Sequence, residues 1–259
     1  MLLRRDGDAV VAIGQPAHAW VSGQLARVWG NETFGAVEPW EDVCLAAEQH
    51  DVGMAQWEAA PTFNERTGLP RSFMELELDE HLEIWWRAAP LVVPQSPYAA
   101  VLVSMHGSAL YERRDMTRLT PAEGDRVRAF LAGQRELQER LLTDLGADHR
   151  AVRRNQRLVW TWDSLSLGLL LDWAPFQLQE VPAAGGQLDI AVADGTLDPW
   201  PFRTAAVTVR CHGRRLAGPY EDEEAMRAAL AEAPWVTVEV ELRRRERRYR
   251  REAATARTR

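Results

Sequence analysis

The sequence predicts a mainly α-helical protein whose helices form one body over about residues 15–175. Apolar residues recur there at three- and four-residue spacing, and Pro or Gly residues delimit each such stretch. The longest stretch begins at Pro121 and stops before Gly146, as helices often do. After residue 175, short alternating runs and turn residues replace this pattern. We therefore expect a small α+β part over residues 176–242.

Each element has its own local signal. The predicted helices cover residues 16–30, 38–57, 75–89, 97–110, 121–145 and 155–173. Pro90 is expected to end the third of these, because a proline cannot continue the backbone hydrogen bonding of a helix. The Asp6-Gly7 turn predicts an N-terminal β-hairpin over residues 1–14, which is too short to be stable alone and should pack on the C-terminal part. That part is expected to hold strands at 188–192, 205–211 and 236–242 and a helix at 221–233.

Composition and charge exclude several classes of protein. Hydrophobic residues make up 46% of the 259 residues and charged residues 27%, unlike disordered or collagen-like chains. The two isolated cysteines, the lack of a signal-peptide pattern and the lack of a long apolar run predict a cytoplasmic protein that does not enter a membrane.

The positive charge is concentrated at the C-terminus. All 31 basic residues are Arg, and nine of them fall in residues 243–259, a basic tail of net charge +7 that leaves −14 on residues 1–242. We expect no nucleic-acid contact from the acidic body. The tail could make one, although a solvated terminus is the simpler interpretation.

Six polar side chains fall on apolar faces of predicted helices. They are His18, His50, Asp51, His81, His106 and Asp163. Each histidine alone is compatible with a core residue bonded to a carbonyl, but burying a charged carboxylate costs several kcal/mol unless it is paired. Imidazole and carboxylate ligands together suit Mn, Fe, Mg or Zn. The set therefore predicts a site for one or two divalent metal ions.

The residues around the His-Asp pair resemble the sequence signature of a known superfamily. Residues 45–53 (LAAEQHDVG) are similar to the second-helix signature of the HD superfamily of metal-dependent phosphohydrolases, and residues 158–166 (LVWTWDSLS) resemble its late aspartate helix. The resemblance covers about residues 15–175 and implies an HD-like helical bundle. It also implies that His18, His50, Asp51 and Asp163 bind the first metal. His81 and His106 lie where two-metal members carry additional histidines.

A second resemblance is closer, but it implies no activity. The whole chain is similar to an uncharacterised bacterial family known only as a domain of unknown function, through residues 15–18 (QPAH), 104–107 (SMHG) and 199–202 (PWPF). The chain also departs from the HD pattern, because Met54 stands where many phosphohydrolase members have a Lys after the Gly of the dyad. An Arg must then hold the phosphate, or the substrate is not a phosphate ester.

The HD resemblance implies a hydrolase of a phosphorylated small molecule or nucleotide, in which a metal-activated water is the nucleophile. Asp51 would bridge two metals or orient that water. Arg113 and Arg114 are candidates to hold the phosphate, although they also fit a solvated helix end.

Two other functions stay open. Six His and Asp ligands could hold the diiron centre of an HD-type oxygenase. The scaffold could instead be a non-catalytic ligand-binding or signalling domain. The C-terminal part could make the protein a homodimer, cover the site or only complete a sheet.

Overall fold

The structure is a computed structural model that describes residues 1–245. Eight α-helices occupy these residues: α1 Gln15–Val28, α2 Trp40–Gln49, α3 Met54–Glu58, α4 Leu78–Val92, α5 Pro97–Glu112, α6 Pro121–Leu145, α7 His149–Leu170 and α8 Glu223–Glu232. The strands in this part of the chain are β1 Leu2–Asp6, β2 Ala9–Ile13, β3 Phe63–Asn64, β4 Leu69–Pro70, β5 Phe176–Ala183, β6 Gly186–Ala193, β7 Thr196–Asp198, β8 Ala206–Leu216 and β9 Trp235–Arg244. Of the predicted basic tail, residues 246–259 lie outside the described residues.

The large sheet joins the two ends of the chain. Its strands lie in the order β1-β2-β8-β9-β7-β6-β5, and all neighbours are antiparallel except β7 and β9. The N-terminal hairpin enters this sheet through pairing of β2 with β8, in which Val10 lies opposite Leu216. Gly213 permits this close approach, because a Cβ there would lie 2.5 Å from a methyl carbon of Val11. Pairing with β8 stabilises a hairpin that would be marginal alone.

The prediction of a mainly α-helical, HD-like bundle with a small C-terminal part is wrong. About 50% of the chain is helical and 23% is strand, and the strands build a large, curled, mixed sheet. The helices and the sheet share one hydrophobic core, in which Leu25 of α1, Leu165 of α7 and Val209 of β8 are fully buried or nearly so. The α class was predicted because strand signals are weak in this sequence: β5, for example, contains Pro182 and an irregular register after Leu178.

Several helix boundaries also differ from prediction, and α7, for example, begins at His149 and not at residue 155. The single helix predicted over residues 38–57 is interrupted between α2 and α3, where the backbone N–H groups of Val52 and Met54 bond to the carbonyls of Gln49 and Asp51 instead of continuing the helix. The helix around Pro90 continues to Val92, because the proline lies in the last turn and removes only one hydrogen bond there. Of the helices in residues 1–245, none is both long enough and apolar enough to cross a membrane.

Candidate metal centre

Five of the six predicted ligands meet inside the helical layer. His18 comes from α1, His50 and Asp51 from the turn after α2, His106 from α5 and Asp163 from α7. All five are at most 7% exposed. Their ligand atoms form two overlapping groups, one of His18, His50 and Asp163 and one of His50, Asp51 and His106, with every separation inside a group at or below 4.8 Å. We call these five residues the His/Asp cluster.

The interruption between α2 and α3 brings two consecutive residues into this cluster. In a continuous helix, neighbours such as His50 and Asp51 point about 100° apart. Here the chain leaves the helix after Gln49, and Nε2 of His50 lies 3.4 Å from Oδ2 of Asp51. Gly53 holds the turn close to α4, since a Cβ at that position would lie 2.5 Å from the carbonyl oxygen of Ile84.

Hydrogen bonds on the outer side of the rings orient two of the histidines. Nδ1 of His50 lies 2.8 Å from the carbonyl oxygen of Ala47, so we assign its ring proton to Nδ1. Nδ1 of His18 donates to Oγ of Ser166 at 2.8 Å, and Ser166 donates in turn to the carbonyl of Asp163 at 2.9 Å. In their neutral form, both rings therefore present the lone pair of Nε2 to the cluster, as metal-binding histidines do.

Several separations between ligand atoms of the cluster match those around a small divalent ion. Nε2 of His18 lies 3.0 Å from Oδ1 of Asp163 and 3.4 Å from Oδ2 of Asp51, and Nε2 of His50 lies 3.2 Å from Nε2 of His18. Ligands bound at roughly 2.1 Å are separated by about 3.0 Å at neighbouring octahedral positions and about 3.4 Å at tetrahedral positions. Nε2 of His106 is farther out, 3.8 Å from Oδ2 of Asp163.

In the metal-free cluster, buried charged side chains stabilise one another. Burial lowers the pKa of His50, but the charges of Asp51 and Asp163 outweigh this effect and raise it to about 9. Burial raises the pKa of Asp163, yet hydrogen bonds from His18 and His50 hold it well below its usual range. Burial raises the pKa of Asp51 above normal. The cluster thus stabilises both a carboxylate and a positive charge beside it.

His106 is the neutral member of the cluster. Burial lowers the pKa of His106 to about 3, and the neighbouring His50 and His18 act in the same direction. Its Nδ1 is buried and has no hydrogen-bond partner in residues 1–245. A neutral imidazole is a competent metal ligand, here through the Nε2 that lies 3.8 Å from Oδ2 of Asp163.

His81 does not join either group of ligand atoms. Nε1 of Trp85 donates to Nε2 of His81 at 2.9 Å, which places the ring proton of the neutral histidine on Nδ1, 2.5 Å from the hydroxyl of Tyr111. Both ring nitrogens are therefore engaged by the protein. Sequence reasoning could not separate this histidine from the others, because each lies on an apolar helix face.

A cavity of about 310 Å³ opens onto the His/Asp cluster. Asp51, His106 and Asp163 line its inner end. Its apolar wall is formed by Met54, Phe73, Met74, Leu76, Leu110 and Leu167. Met54 thus offers an apolar surface where a Lys was expected from the HD pattern.

Three polar side chains also line this cavity. Arg114 and His81 lie in its wall, and so does Gln15, whose buried Oε1 has no hydrogen-bond partner among the described residues. Gln15 and Ser166 were not predicted as site residues. Both lie in stretches that carry the resemblances, three residues before His18 and three after Asp163.

The two predicted phosphate-binding arginines separate. Arg114 lines the cavity at the cluster, whereas Arg113 lies over the ring of Trp160, 4.1 Å from its centroid, in a neighbouring cavity. Trp160 in turn packs on His106, with ring centroids 5.4 Å apart. The adjacent residues at the end of α5 therefore serve different cavities.

No curated protein and no solved structure matches this chain. A family match does cover residues 1–218, which include the N-terminal hairpin, the whole His/Asp cluster and all of β8. The family is described as "Protein of unknown function (DUF3891)". Because the match spans most of the 259 residues, the chain belongs to this family of unknown function.

Proposed function

We propose that this protein is a metal-dependent hydrolase acting on a phosphorylated small molecule. The observation that carries the proposal is the His/Asp cluster at the inner end of a cavity that also holds Arg114. Burying carboxylates in the protein interior is costly unless an opposite charge compensates them, and a divalent ion offsets that cost. One or two ions of Mn, Fe, Mg or Zn suit this oxygen and nitrogen ligand set.

Each residue has a stated role in this proposal. His18, His50, Asp51 and Asp163 hold the ion, and His106 supplies a further ligand on the cavity side. A divalent ion bound there lowers the pKa of a coordinated water and stabilises negative charge on a phosphoryl group. Asp51, which lines the cavity, orients the attacking water. The guanidinium of Arg114 holds the phosphate.

The chain order of the cluster residues supports a relation to the HD superfamily at the level of the site. An early helical His, the His-Asp pair and a late helical Asp occur in the same order in both. The HD-like bundle itself is not part of the proposal, since the large sheet contradicts that fold class. The cytoplasmic location and a homodimeric state remain predictions from the sequence.

The apolar wall indicates which part of the substrate enters beside the metal. Met54, Leu110 and Leu167 can contact a hydrocarbon or ring portion, while Arg114 contacts an anionic group. A volume of about 310 Å³ accommodates a small molecule and not a polymer chain.

The test is elemental analysis of protein purified without added metal or chelator, followed by turnover of p-nitrophenyl phosphate and bis(p-nitrophenyl) phosphate. We expect one or two equivalents of metal, lost in His50→Ala and Asp163→Ala but retained in His149→Ala and Asp144→Ala. The last two residues are exposed and far from the cluster in sequence, so they control for losing a histidine or a carboxylate.

The outcomes separate the three functions. Bound Mn, Mg or Zn with phosphatase activity supports the hydrolase. Redox-active iron with oxygen consumption and no phosphatase activity supports the alternative of a diiron oxygenase. A protein that neither retains metal nor takes up added Mn or Fe overturns the proposal and leaves the non-catalytic binding domain.

A further inference from the structure

A second cavity, of about 390 Å³, lies between α7 and β5. Side chains of Trp160 and Ser164 on α7 line it, while Asp163 and Leu167 of the same helix line the cavity at the His/Asp cluster. The two cavities therefore occupy neighbouring faces of one helix. We call the second one the α7/β5 cavity.

Arg113 brings a positive charge with free hydrogen-bond donors to the α7/β5 cavity. Its guanidinium carbon lies over the ring of Trp160, 4.1 Å from the centroid, within the range of a cation–π interaction. Within residues 1–245 no carboxylate forms an ion pair with Arg113, and no acceptor is hydrogen-bonded to it. A stacked guanidinium of this kind is pre-organised for an anion that is not part of the protein.

Arg157 brings a second guanidinium, and the backbone of β5 holds it in place. Its Nη2 donates to the carbonyl of Gln179 and to the carboxylate of Glu180, both at 2.8 Å. Glu180 has a φ of 52°, a left-handed conformation that is unfavourable for a residue other than Gly. Its N–H donates to Oδ1 of Asp189 at 2.8 Å, which offsets part of that strain. Nη1 of Arg157 has no acceptor among the described residues.

The charges around the cavity do not balance. Two guanidinium groups face it, and Glu180 is the carboxylate among its lining residues. Burial lowers the pKa of Arg157 and the charge of Arg113 lowers it further, while the carboxylate of Glu180 acts in the opposite direction. Ser164 adds a half-buried side-chain hydroxyl to the lining. An anion placed between the arginines would offset the repulsion between their charges.

We propose that the α7/β5 cavity is a binding site for a phosphate-type oxyanion, held by Arg113 and Arg157 with Ser164 and independent of any metal. Paired guanidinium groups match the geometry and charge of a tetrahedral oxyanion. Trp160 already contacts Arg113 and His106, with the rings of Trp160 and His106 tilted at 43°. The site thus recognises the anionic group of its ligand. This inference does not rest on the proposed hydrolase activity.

The test is titration of inorganic phosphate into chelator-treated, desalted protein at low ionic strength, followed by isothermal titration calorimetry. Treatment with chelator removes metal-bound phosphate as a source of signal. We expect one binding site in the wild type and an affinity at least about tenfold lower in Arg113→Gln, because charged hydrogen bonds to the anion are lost. The control is Arg140→Gln, an exposed arginine on α6 that lines neither cavity, which should keep the wild-type affinity within about twofold. Arg114→Gln tests whether the anion lies instead in the cavity at the His/Asp cluster.

A second variant keeps both arginines. Ser164→Asp adds a negative charge to the cavity wall and should abolish phosphate binding while the melting temperature without phosphate shows that the protein is folded. No binding to the wild type, equal binding to Arg113→Gln, or loss of binding in Arg114→Gln alone would each overturn the proposal. The last result would place the anion beside the His/Asp cluster.

Discussion

Nε2 of His18 lies 3.2 Å from Nε2 of His50, deep inside the helical layer. Both rings donate from Nδ1, to Ser166 and to the carbonyl of Ala47. Two imidazole lone pairs repel each other at this distance unless a cation lies between or beside them. The carboxylates of Asp51 and Asp163 lie within 3.4 Å of the same two atoms. This arrangement requires either a proton or a metal ion.

Metal uptake by the metal-free protein should therefore release about one proton, because the metal replaces the proton that joins His18 and His50. The measurement is calorimetric titration of Mn²⁺ or Zn²⁺ at pH 7.5 in two buffers of different ionisation enthalpy. The difference in apparent binding enthalpy gives the number of protons released. His149→Ala should give the wild-type value, and equal enthalpies in both buffers would show that no shared proton is displaced.

Ser166→Ala should weaken metal binding by about 10–100-fold without unfolding the protein. Ser166 accepts from Nδ1 of His18 and donates to the carbonyl of Asp163, so it orients two ligands without contacting the ion. The measurement is metal affinity in competition with a coloured chelator. Ser108→Ala is the matched control, a buried serine bonded to the carbonyl of Ser104. Equal affinity in both variants would mean that His18 is oriented by packing alone.

His81 should make the metal-free protein less stable in acid. Burial lowers the pKa of His81 to about 4, whereas its pKa in the unfolded chain is about 6.5. Above pH 6.5 the residue is neutral in both states and has no effect. Between pH 6.5 and 4 the unfolded chain binds a proton that the folded protein does not, so stability falls as the pH falls.

The matching variant is His81→Gln, whose amide can replace both hydrogen bonds but does not titrate. Urea unfolding with chelator at pH 7.5 and pH 4.5 should show a smaller acid loss in the variant. The difference is expected to be up to about 3 kcal/mol from the pKa shift. An identical acid loss in both proteins would show that His81 does not cause it and would leave His106 as the source.

Gly107→Ala should destabilise the protein by about 1–3 kcal/mol, because an overpacked core must shift. A Cβ at Gly107 would lie 2.7 Å from a ring carbon of Trp85. The ring of Trp85 donates a hydrogen bond to His81, and its centroid lies 5.4 Å from that of His106. Urea unfolding measures the change. The control is Gly124→Ala in α6, where the nearest atom, at 3.2 Å, is the end of the Arg128 side chain. That substitution should be neutral or stabilising by up to about 1 kcal/mol.

Most of the helices could be predicted from the sequence because their signals are local. Pro121, Gly146 and the apolar spacing between them predict α6, and the structure has that helix at Pro121–Leu145. The break between α2 and α3 could not be predicted, since the residues on both sides continue a helical pattern. Close packing of Gly53 against α4 and hydrogen bonds within the turn decide it.

In the candidate site, too, local sequence patterns predicted some features, and contacts between distant residues decided the others. The types of side chain and their positions on apolar faces singled out His18, His50, Asp51, His106 and Asp163. His81 has an equivalent local pattern, and only its contacts with Trp85 and Tyr111 distinguish it. Arg113 and Arg114 are neighbours in sequence but line different cavities, because successive residues point in different directions.

The sequence by itself determined the periodic helices, the turn of the N-terminal hairpin and the kinds of ligand available to a metal. The tertiary structure decided the fold class and the membership of the cluster. The large sheet depends on pairing between β2 and β8, whose facing residues Val10 and Leu216 lie about two hundred positions apart in the chain. The pairing of distant strands and the meeting of metal ligands from different helices are long-range relationships. Neither can be recognised from the local spacing of residues.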